Sequence, residues 1–197
     1  GNVYAVGTFT GLVDFDLGAD TVNLDAGTFS RTFFAKYDSH GVIQWVKEIY
    51  SAIGNDIKTD SDGNVYLTGT FGDLFGTSSP ADFNPGGGNA IFTPQGSTDF
   101  FIAKYDAGGN YIWAKGIGGL SSDLATNLAV DNNGNLLVTG LIDGTCDFDP
   151  GSGVANIDAV TSNIFIAKYS SSGDYVWAIH ISKPDAYDEE VFSIAYD

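Results

Sequence analysis

Asp99-Phe-Phe-Ile-Ala-Lys-Tyr-Asp-Ala-Gly-Gly-Asn-Tyr-Ile-Trp113 decides the reading of this sequence, because it occurs three times. Arg31-Thr-Phe-Phe-Ala-Lys-Tyr-Asp-Ser-His-Gly-Val-Ile-Gln-Trp45 and Asn163-Ile-Phe-Ile-Ala-Lys-Tyr-Ser-Ser-Ser-Gly-Asp-Tyr-Val-Trp177 align with it without a gap, their tryptophans 68 and 64 residues apart. Two more blocks recur in the same order. One is Gly1-Asn-Val-Tyr-Ala-Val-Gly7, Gly63-Asn-Val-Tyr-Leu-Thr-Gly69 and Gly134-Asn-Leu-Leu-Val-Thr-Gly140. The other is Asp14-Phe-Asp16, Asp82-Phe-Asn-Pro85 and Asp147-Phe-Asp-Pro150. A period of this length means a repeat architecture, in which each unit is one supersecondary element that buries its apolar face against its neighbours.

Within a unit the segments have strand length and turn punctuation, and none competes as a long helix. The first strand is expected at 55–60, 126–131 and 192–197. An Asp-x-Asp/Asn-Gly-Asn turn follows at Asp60–Asn64 and Asp131–Asn135, supplying the positive-φ glycine a tight hairpin needs. The second strand is 65–71 and its equivalents. A long loop carrying the Asp-Phe motif leads to the third, at 33–38, 101–106 and 165–170, and a Gly-containing turn leads to the fourth, which carries the tryptophan. Repeated four-stranded antiparallel units with aromatic signatures are the cue for β-propeller blades. The expectation is an all-β propeller segment of three four-stranded antiparallel blades in permuted register. The units run about 1–54, 55–122 and 123–185, with 186–197 as the first strand of a further blade. Three blades do not close a ring of the usual 4–8, so this reads as a piece of a longer propeller chain, or as a chain that self-associates through its open strand edges.

The composition excludes several function classes. The 197 residues carry 25 acidic against 8 basic side chains, a net charge of −17, so a polyanionic partner is repelled and nucleic-acid binding is not expected. No apolar run reaches the ~18 residues of a membrane span. Hydrophobic residues make up 43% and aromatics 14%, enough for a packed core. One cysteine, Cys146, and two histidines, His40 and His180, leave no cluster for zinc or iron and no intramolecular disulfide. Aspartates number 22 and glutamates 3, which puts the negative charge in turns and loops.

The linked motifs Asp-x-x-Gly-Asn-Val-Tyr-x-Thr-Gly, Asp-Phe-Asp-Pro-Gly and Asp-x-Phe-Ile-Ala-Lys-Tyr-Asp-x-x-Gly-x-Tyr-x-Trp resemble the SBBP type of β-propeller repeat of large bacterial surface and secreted proteins. The resemblance spans essentially the whole chain and is specific for the repeat rather than for an activity. It implies an extracellular or cell-surface binding or structural module. Departures from the pattern are six extra residues between Tyr66 and Asp82, Leu137 in place of the hairpin tyrosine, and Ser170 in place of the aspartate after Lys-Tyr.

Residues repeated in every unit serve what every unit shares. Lys36, Lys104 and Lys168 are read as structural cations, since a lysine on a packed strand needs a carboxylate. Asp14, Asp82 and Asp147, 21 or 22 residues upstream, are the expected partners. Trp45, Trp113 and Trp177 are read as packing anchors between blades. Hard oxygen ligands on loops suit calcium, so Asp14, Asp16, Asp20, Asp82, Asn84, Asp147 and Asp149 are the candidate Ca²⁺ ligands, with turn formation as their competing role. No cofactor is otherwise expected. Neither histidine is tied by a motif to a nucleophile or an orienting carboxylate, and Cys146 replaces Val13 and Ala81 of the sister units as a small core residue. The function expected is a non-catalytic scaffold or interaction module with a protein or carbohydrate partner. Two other readings stay open: a lectin-like or glycan-active propeller, with the Gly72–Pro80 insertion as its foothold, and a calcium-stabilised repeat of an adhesin.

Overall fold

The computed structural model describes residues 1–72, 79–84, 87–181 and 191–196. Fifteen β-strands and no helix occur among them: β1 Val3–Phe9, β2 Leu12–Asp14, β3 Asn23–Asp25, β4 Arg31–Tyr37, β5 Ile43–Ile49, β6 Ala52–Thr59, β7 Val65–Gly72, β8 Ala81–Asp82, β9 Ile91–Phe92, β10 Thr98–Tyr105, β11 Tyr111–Gly119, β12 Leu124–Val130, β13 Leu136–Asp147, β14 Asn156–Tyr169 and β15 Tyr175–Ile181. The chain is all-β, and every ladder between these strands is antiparallel.

Two segments repeat the strand order expected of a blade. In one, β6, β7, β10 and β11 lie side by side; in the other β12, β13, β14 and β15 do. The corresponding sheet of the first unit has three strands, β1, β4 and β5. Four strands are not present there, and residues 191–196, expected to begin a further first strand, form none. In the complete units the first strand is held by a ladder to the strand that follows it, β6 to β7 and β12 to β13. Residues 191–196 have no such ladder.

The loop carrying the Asp-Phe motif is more ordered than the sequence suggests. It is an outward extension of the hairpin between second and third strands. In the third unit the extension is continuous, so β13 and β14 stay paired from Leu136 with Tyr169 out to Asp147 with Asn156. In the other two it is interrupted, and the same pairing reappears as β2 with β3 and as β8 with β9.

The third strand is apolar on both faces because both are covered. Phe101, Ala103 and Tyr105 of β10 belong to a core shared with Phe34 and Ile49 of the first unit, whereas Phe100 and Ile102 belong to one shared with Val138, Phe148, Phe165 and Tyr169 of the third. The cores therefore lie between units as well as within them, as expected where one sheet cannot bury both its faces alone. The glycine closing the Thr-Gly pair is dictated by packing. First strands bulge between Gly54 and Asp56 and between Ala125 and Asn127, and a Cβ at Gly69 or Gly140 would collide with the carbonyl oxygen of Ile53 or Leu124.

One hydrogen bond repeats in every unit. The hydroxyls of Tyr37, Tyr105 and Tyr169 donate to the carbonyls of Phe15, Phe83 and Phe148 at 3.1, 2.9 and 3.1 Å. Tyr105 and Tyr169 are buried and Tyr37 half-buried. Removing a buried donor strands the carbonyl it served, so Tyr169→Phe is expected to lower stability by about 1–2 kcal/mol in urea unfolding. Tyr37→Phe, with water within reach, should cost clearly less; equal losses at the two positions would contradict this account.

Candidate functional site

The Asp-Phe loops spend their carboxylates on their own backbone. Asp14 Oδ1 accepts from the amides of Asp16 and Val22, and Asp147 Oδ1 from those of Asp149 and Ala155. Asp82 Oδ1 accepts from Asn84 N. Asp16 and Asp149 close a second turn by accepting from Gly18 and Gly151, while Asp20 is exposed. These are Asx turns, the ordinary use of aspartate in tight loops. Among the described residues no group of three or more His, Cys, Asp or Glu side chains is arranged to hold a metal ion.

The repeated lysines do not pair with these aspartates, which corrects the partner expected from spacing. Lys104 Nζ lies 3.9 Å from Asp60 Oδ2, the aspartate of the first hairpin, and 4.8 Å above the Tyr66 ring. Strand register is the reason: Lys104 sits opposite Tyr66 in the ladder, and Tyr66 donates its hydroxyl to Asp60. Burial alone would raise the Asp60 carboxyl; hydrogen bonds from Asn64 and Tyr66 and the Lys104 charge outweigh it and hold the group below the usual carboxylate range. Asp131 is likewise lowered, Asn135, Asn133 and the charge of Lys168 overcoming its desolvation. Where Leu137 replaces the hairpin tyrosine, Tyr196 supplies the ring, 5.8 Å from Lys168 Nζ. Lys36 lies 5.5 Å above Tyr4 and donates to the Ala107 carbonyl of the next unit.

Two of the three tryptophans lie in seams between units. The Trp45 indole N–H donates to Ala107 O at 3.1 Å, and its ring lies against Gly109, where an added Cβ would meet it at 3.1 Å. Trp113 meets Gly173 in the same way, at 3.0 Å. Both glycines have positive φ, 76° and 81°, so the turn they close is shaped for glycine and covered by the preceding unit's tryptophan. Trp177 is 38% exposed. The seams also share a backbone link, in which the end of each outer strand meets the Asp-Phe segment of the next unit: Tyr50 bridges Asp82, and Gly118 pairs with Asp147.

The seams differ at one repeated position, occupied by Arg31, Asp99 and Asn163. Between the second and third units Asp99 is buried, with its Oδ2 accepting from Gln95 N and its Oδ1 unpartnered. Asp123, fully buried nearby, accepts from the amides of Gly119 and Asp143. Burial pushes the Asp123 carboxyl up to about 6, helped by the charges of Asp99 and Asp143 and opposed by those amides. Cys146 lies in the same core, its thiol raised by burial. His40 and His180 are exposed, His40 on a turn beside Ser39.

Between the first and second units the position carries Arg31, the only arginine in the chain. Its Nη1 donates to Glu48 Oε2 at 2.9 Å, Glu48 Oε1 accepts from the Tyr50 hydroxyl at 2.9 Å, and the guanidinium lies 4.2 Å from the Tyr50 ring centre. Ser51 beside it has φ 56°, the one positive-φ non-glycine among the described residues, a costly conformation of the kind that clusters at binding sites. Arg31, Tyr50 and Ser51, with Phe29, Ser30, Gly72 and Ser79, line a cavity of about 230 Å³. Phe29 is 64% exposed at its edge. No repeat signal marks this cleft; the departure from the repeat at Arg31 was the available clue. Residues 73–78 of the Gly72–Pro80 insertion lie outside the described residues.

Parts of the chain are similar to known proteins. Residues 112–146 match the SBBP beta-propeller repeat. The chain is 35% identical over 127 residues, 61% of its length, to an uncharacterized WD repeat-containing protein of Acanthamoeba polyphaga mimivirus. It is 24% identical over 139 residues, 70% of its length, to the regulatory protein FlaEY of Caulobacter vibrioides. The matched segments are 9% and 14% of those two relatives' lengths.

One oxygen each of Asp14, Asp16, Asp82, Asp147 and Asp149 already accepts a backbone amide, so excess calcium is expected to leave the melting temperature where a chelator leaves it. A rise of several degrees would put a cation in the Asp-Phe loops. Asp123 makes a further prediction. Its folded-state carboxyl is raised, so the folded state binds its proton more tightly, and its contribution is present at low pH and lost as pH rises through about 6. Between pH 7 and pH 5 the residue should regain about 1 kcal/mol, and the stability of Asp123→Asn relative to the parent should fall by that amount over the same interval. A pH-independent difference would sink the assignment.

Proposed function

We propose that this chain is a non-catalytic β-propeller interaction module whose target binds in the Arg31 cleft. The observation that carries the reading is the break in the repeat. At a position where the next unit holds a buried acid, this seam presents an arginine braced on a tyrosine and opens a cavity beside it. In repeat scaffolds, binding surfaces come from what varies between units, while the repeated residues hold the units together. The SBBP match and the WD repeat of the viral relative support an interaction role over a catalytic one. So does the cleft chemistry. Among the described residues its lining holds no carboxylate, and both oxygens of the adjacent Glu48 are engaged by Arg31 and Tyr50.

The lining favours a neutral saccharide. Serine hydroxyls and the unspent guanidinium N–H groups of Arg31 suit vicinal hydroxyls, and Phe29 offers an apolar edge for a sugar ring. An anionic target would meet the field of a chain of net charge −17. The resemblance to surface and secreted repeats supports an extracellular or cell-surface setting, in which adhesion is the role this chemistry serves.

A screen of neutral oligosaccharides, followed by titration calorimetry, tests the site. Arg31→Ala is expected to weaken the bound sugar at least tenfold, about 1.4 kcal/mol, with the circular dichroism unchanged. The Arg31–Glu48 pair is partly exposed and contributes little to folding. Retention of no neutral saccharide defeats the ligand assignment, and undiminished binding by Arg31→Ala defeats the site.

A further inference from the structure

A second cavity, of about 360 Å³, lies in the seam between the first and second units and shares no lining residue with the Arg31 cleft. Its polar lining is Lys47 and Glu48 of β5, Asn84 just after β8, and Asn110 and Tyr111 where β11 begins.

The charge left uncommitted in this cavity is positive. Lys47 is half-buried, yet among the described residues its ammonium makes no hydrogen bond or ion pair. Its stem packs on the neighbouring turn, since a Cβ on Gly109 would meet Lys47 Cε at 3.2 Å. The carboxylates around it are spent elsewhere. Both oxygens of Glu48 are engaged by Arg31 and Tyr50. Asp106 closes its own turn, Oδ1 accepting from the amides of Gly108 and Asn110 and Oδ2 from Asn110 Nδ2. The Asn84 carboxamide has no partner among the described residues. The Tyr111 hydroxyl accepts from Ala114 N and keeps its own hydrogen to donate. A half-buried ammonium without a counter-charge is an expensive way to hold units together. It is the arrangement that the carboxylate of a ligand completes.

The next seam shows what is particular here. Lys115 stands where Lys47 does and packs on Gly173 in the same way, again at 3.2 Å. The third unit, however, has Asp149 and Asp174 at the positions of Asn84 and Asn110. The lysine repeats and the residues that share its cavity do not. Exchanging two carboxylates for two carboxamides removes negative charge from the surroundings of Lys47 and supplies groups that both donate and accept.

We propose that this cavity binds a small hydroxylated carboxylate of the uronate class, with its carboxylate on Lys47 and its hydroxyls on Asn84, Asn110 and Tyr111. A sugar hydroxyl donates and accepts at once, which a carboxamide matches on both counts. The volume falls within the ~300–1,000 Å³ usual for small-molecule sites. The chain's net charge of −17 does not bar the anion. At physiological salt the field of exposed charges is screened beyond ~8 Å, and inside the cavity the uncommitted charge is that of Lys47.

Titration calorimetry with sodium glucuronate, in a buffer of physiological ionic strength, tests the site. Saturable binding is expected. Lys47→Gln should weaken it at least about tenfold, the loss of one hydrogen bond to a charged group. Asn84→Asp, which writes the third unit's residue into the cavity, should weaken it several-fold, and both variants should keep the parent's circular dichroism. Absence of saturable glucuronate binding, or binding undiminished by either substitution, overturns the proposal. Neither position lines the Arg31 cleft, so a neutral saccharide bound there is retained by both variants, and the two sites stand or fall separately.

Discussion

A tyrosine hydroxyl that must find an acceptor inside an apolar core is the constraint on which each unit turns. Tyr37, Tyr105 and Tyr169 reach the carbonyls of Phe15, Phe83 and Phe148, which lie 21 or 22 residues earlier in the chain. A buried hydroxyl without a partner is costly, so the bond fixes where the extended hairpin folds back. The phenylalanine whose carbonyl accepts is itself buried, and the aspartate before it closes the loop through its own side chain. The Asp-Phe motif is thus half of a long-range tie whose other half is the Lys-Tyr pair. Adjacent residues on the third strand serve opposite faces. The tyrosine anchors the hairpin extension, and the lysine spans to the aspartate of the hairpin between first and second strands.

Units so built cannot stand alone, because their third strands are apolar on both faces. Phe100 and Phe165 stack at 4.8 Å across the seam between second and third units, and Phe34 meets Tyr105 at 4.5 Å across the other. The tryptophan-on-glycine contact adds direction to this burial, since its two sides are different structures. Growth of such an array has a polarity, and each added unit offers the same face to the next. Repetition of the seam residues follows from that requirement and carries no information about a ligand.

Much of the fold was legible in the sequence because its signals are local. The Asp-x-x-Gly-Asn turn, the apolar third strand and the tryptophan sit within a few residues of one another, and periodicity confirms them against each other. The lysine partner was not legible from spacing. It depends on ladder register, which places Lys104 opposite Tyr66 and so beside Asp60 rather than Asp82. The separation along the chain from Asp82 to Lys104 repeats faithfully, but only because both residues belong to the hairpin tied by the tyrosine. The part the loop aspartates play in closing their turns was not legible for a related reason. Composition shows how many carboxylates a loop has, and only geometry shows that the amides of Asp16, Val22 and Ala155 occupy them.

The Arg31 cleft was hidden by the same logic that made the fold visible. Alignment of the units draws attention to what recurs, whereas the cleft exists through what does not. At one register position the chain places a half-buried arginine in one unit, and a buried aspartate and a buried asparagine in the other two. The aspartate is tolerated because seam amides hold one of its oxygens and burial raises its carboxyl. The arginine is tolerated because it stays partly in water, with Glu48 and the Tyr50 ring beside it. A half-exposed cation needs room for its head group, so the seam opens where Arg31 stands, and the neighbouring Ser51 turns through a conformation that glycine would take more readily. The cavity therefore follows from the residue's own solvation requirement, and a scaffold whose repeated residues favour closed seams keeps one open.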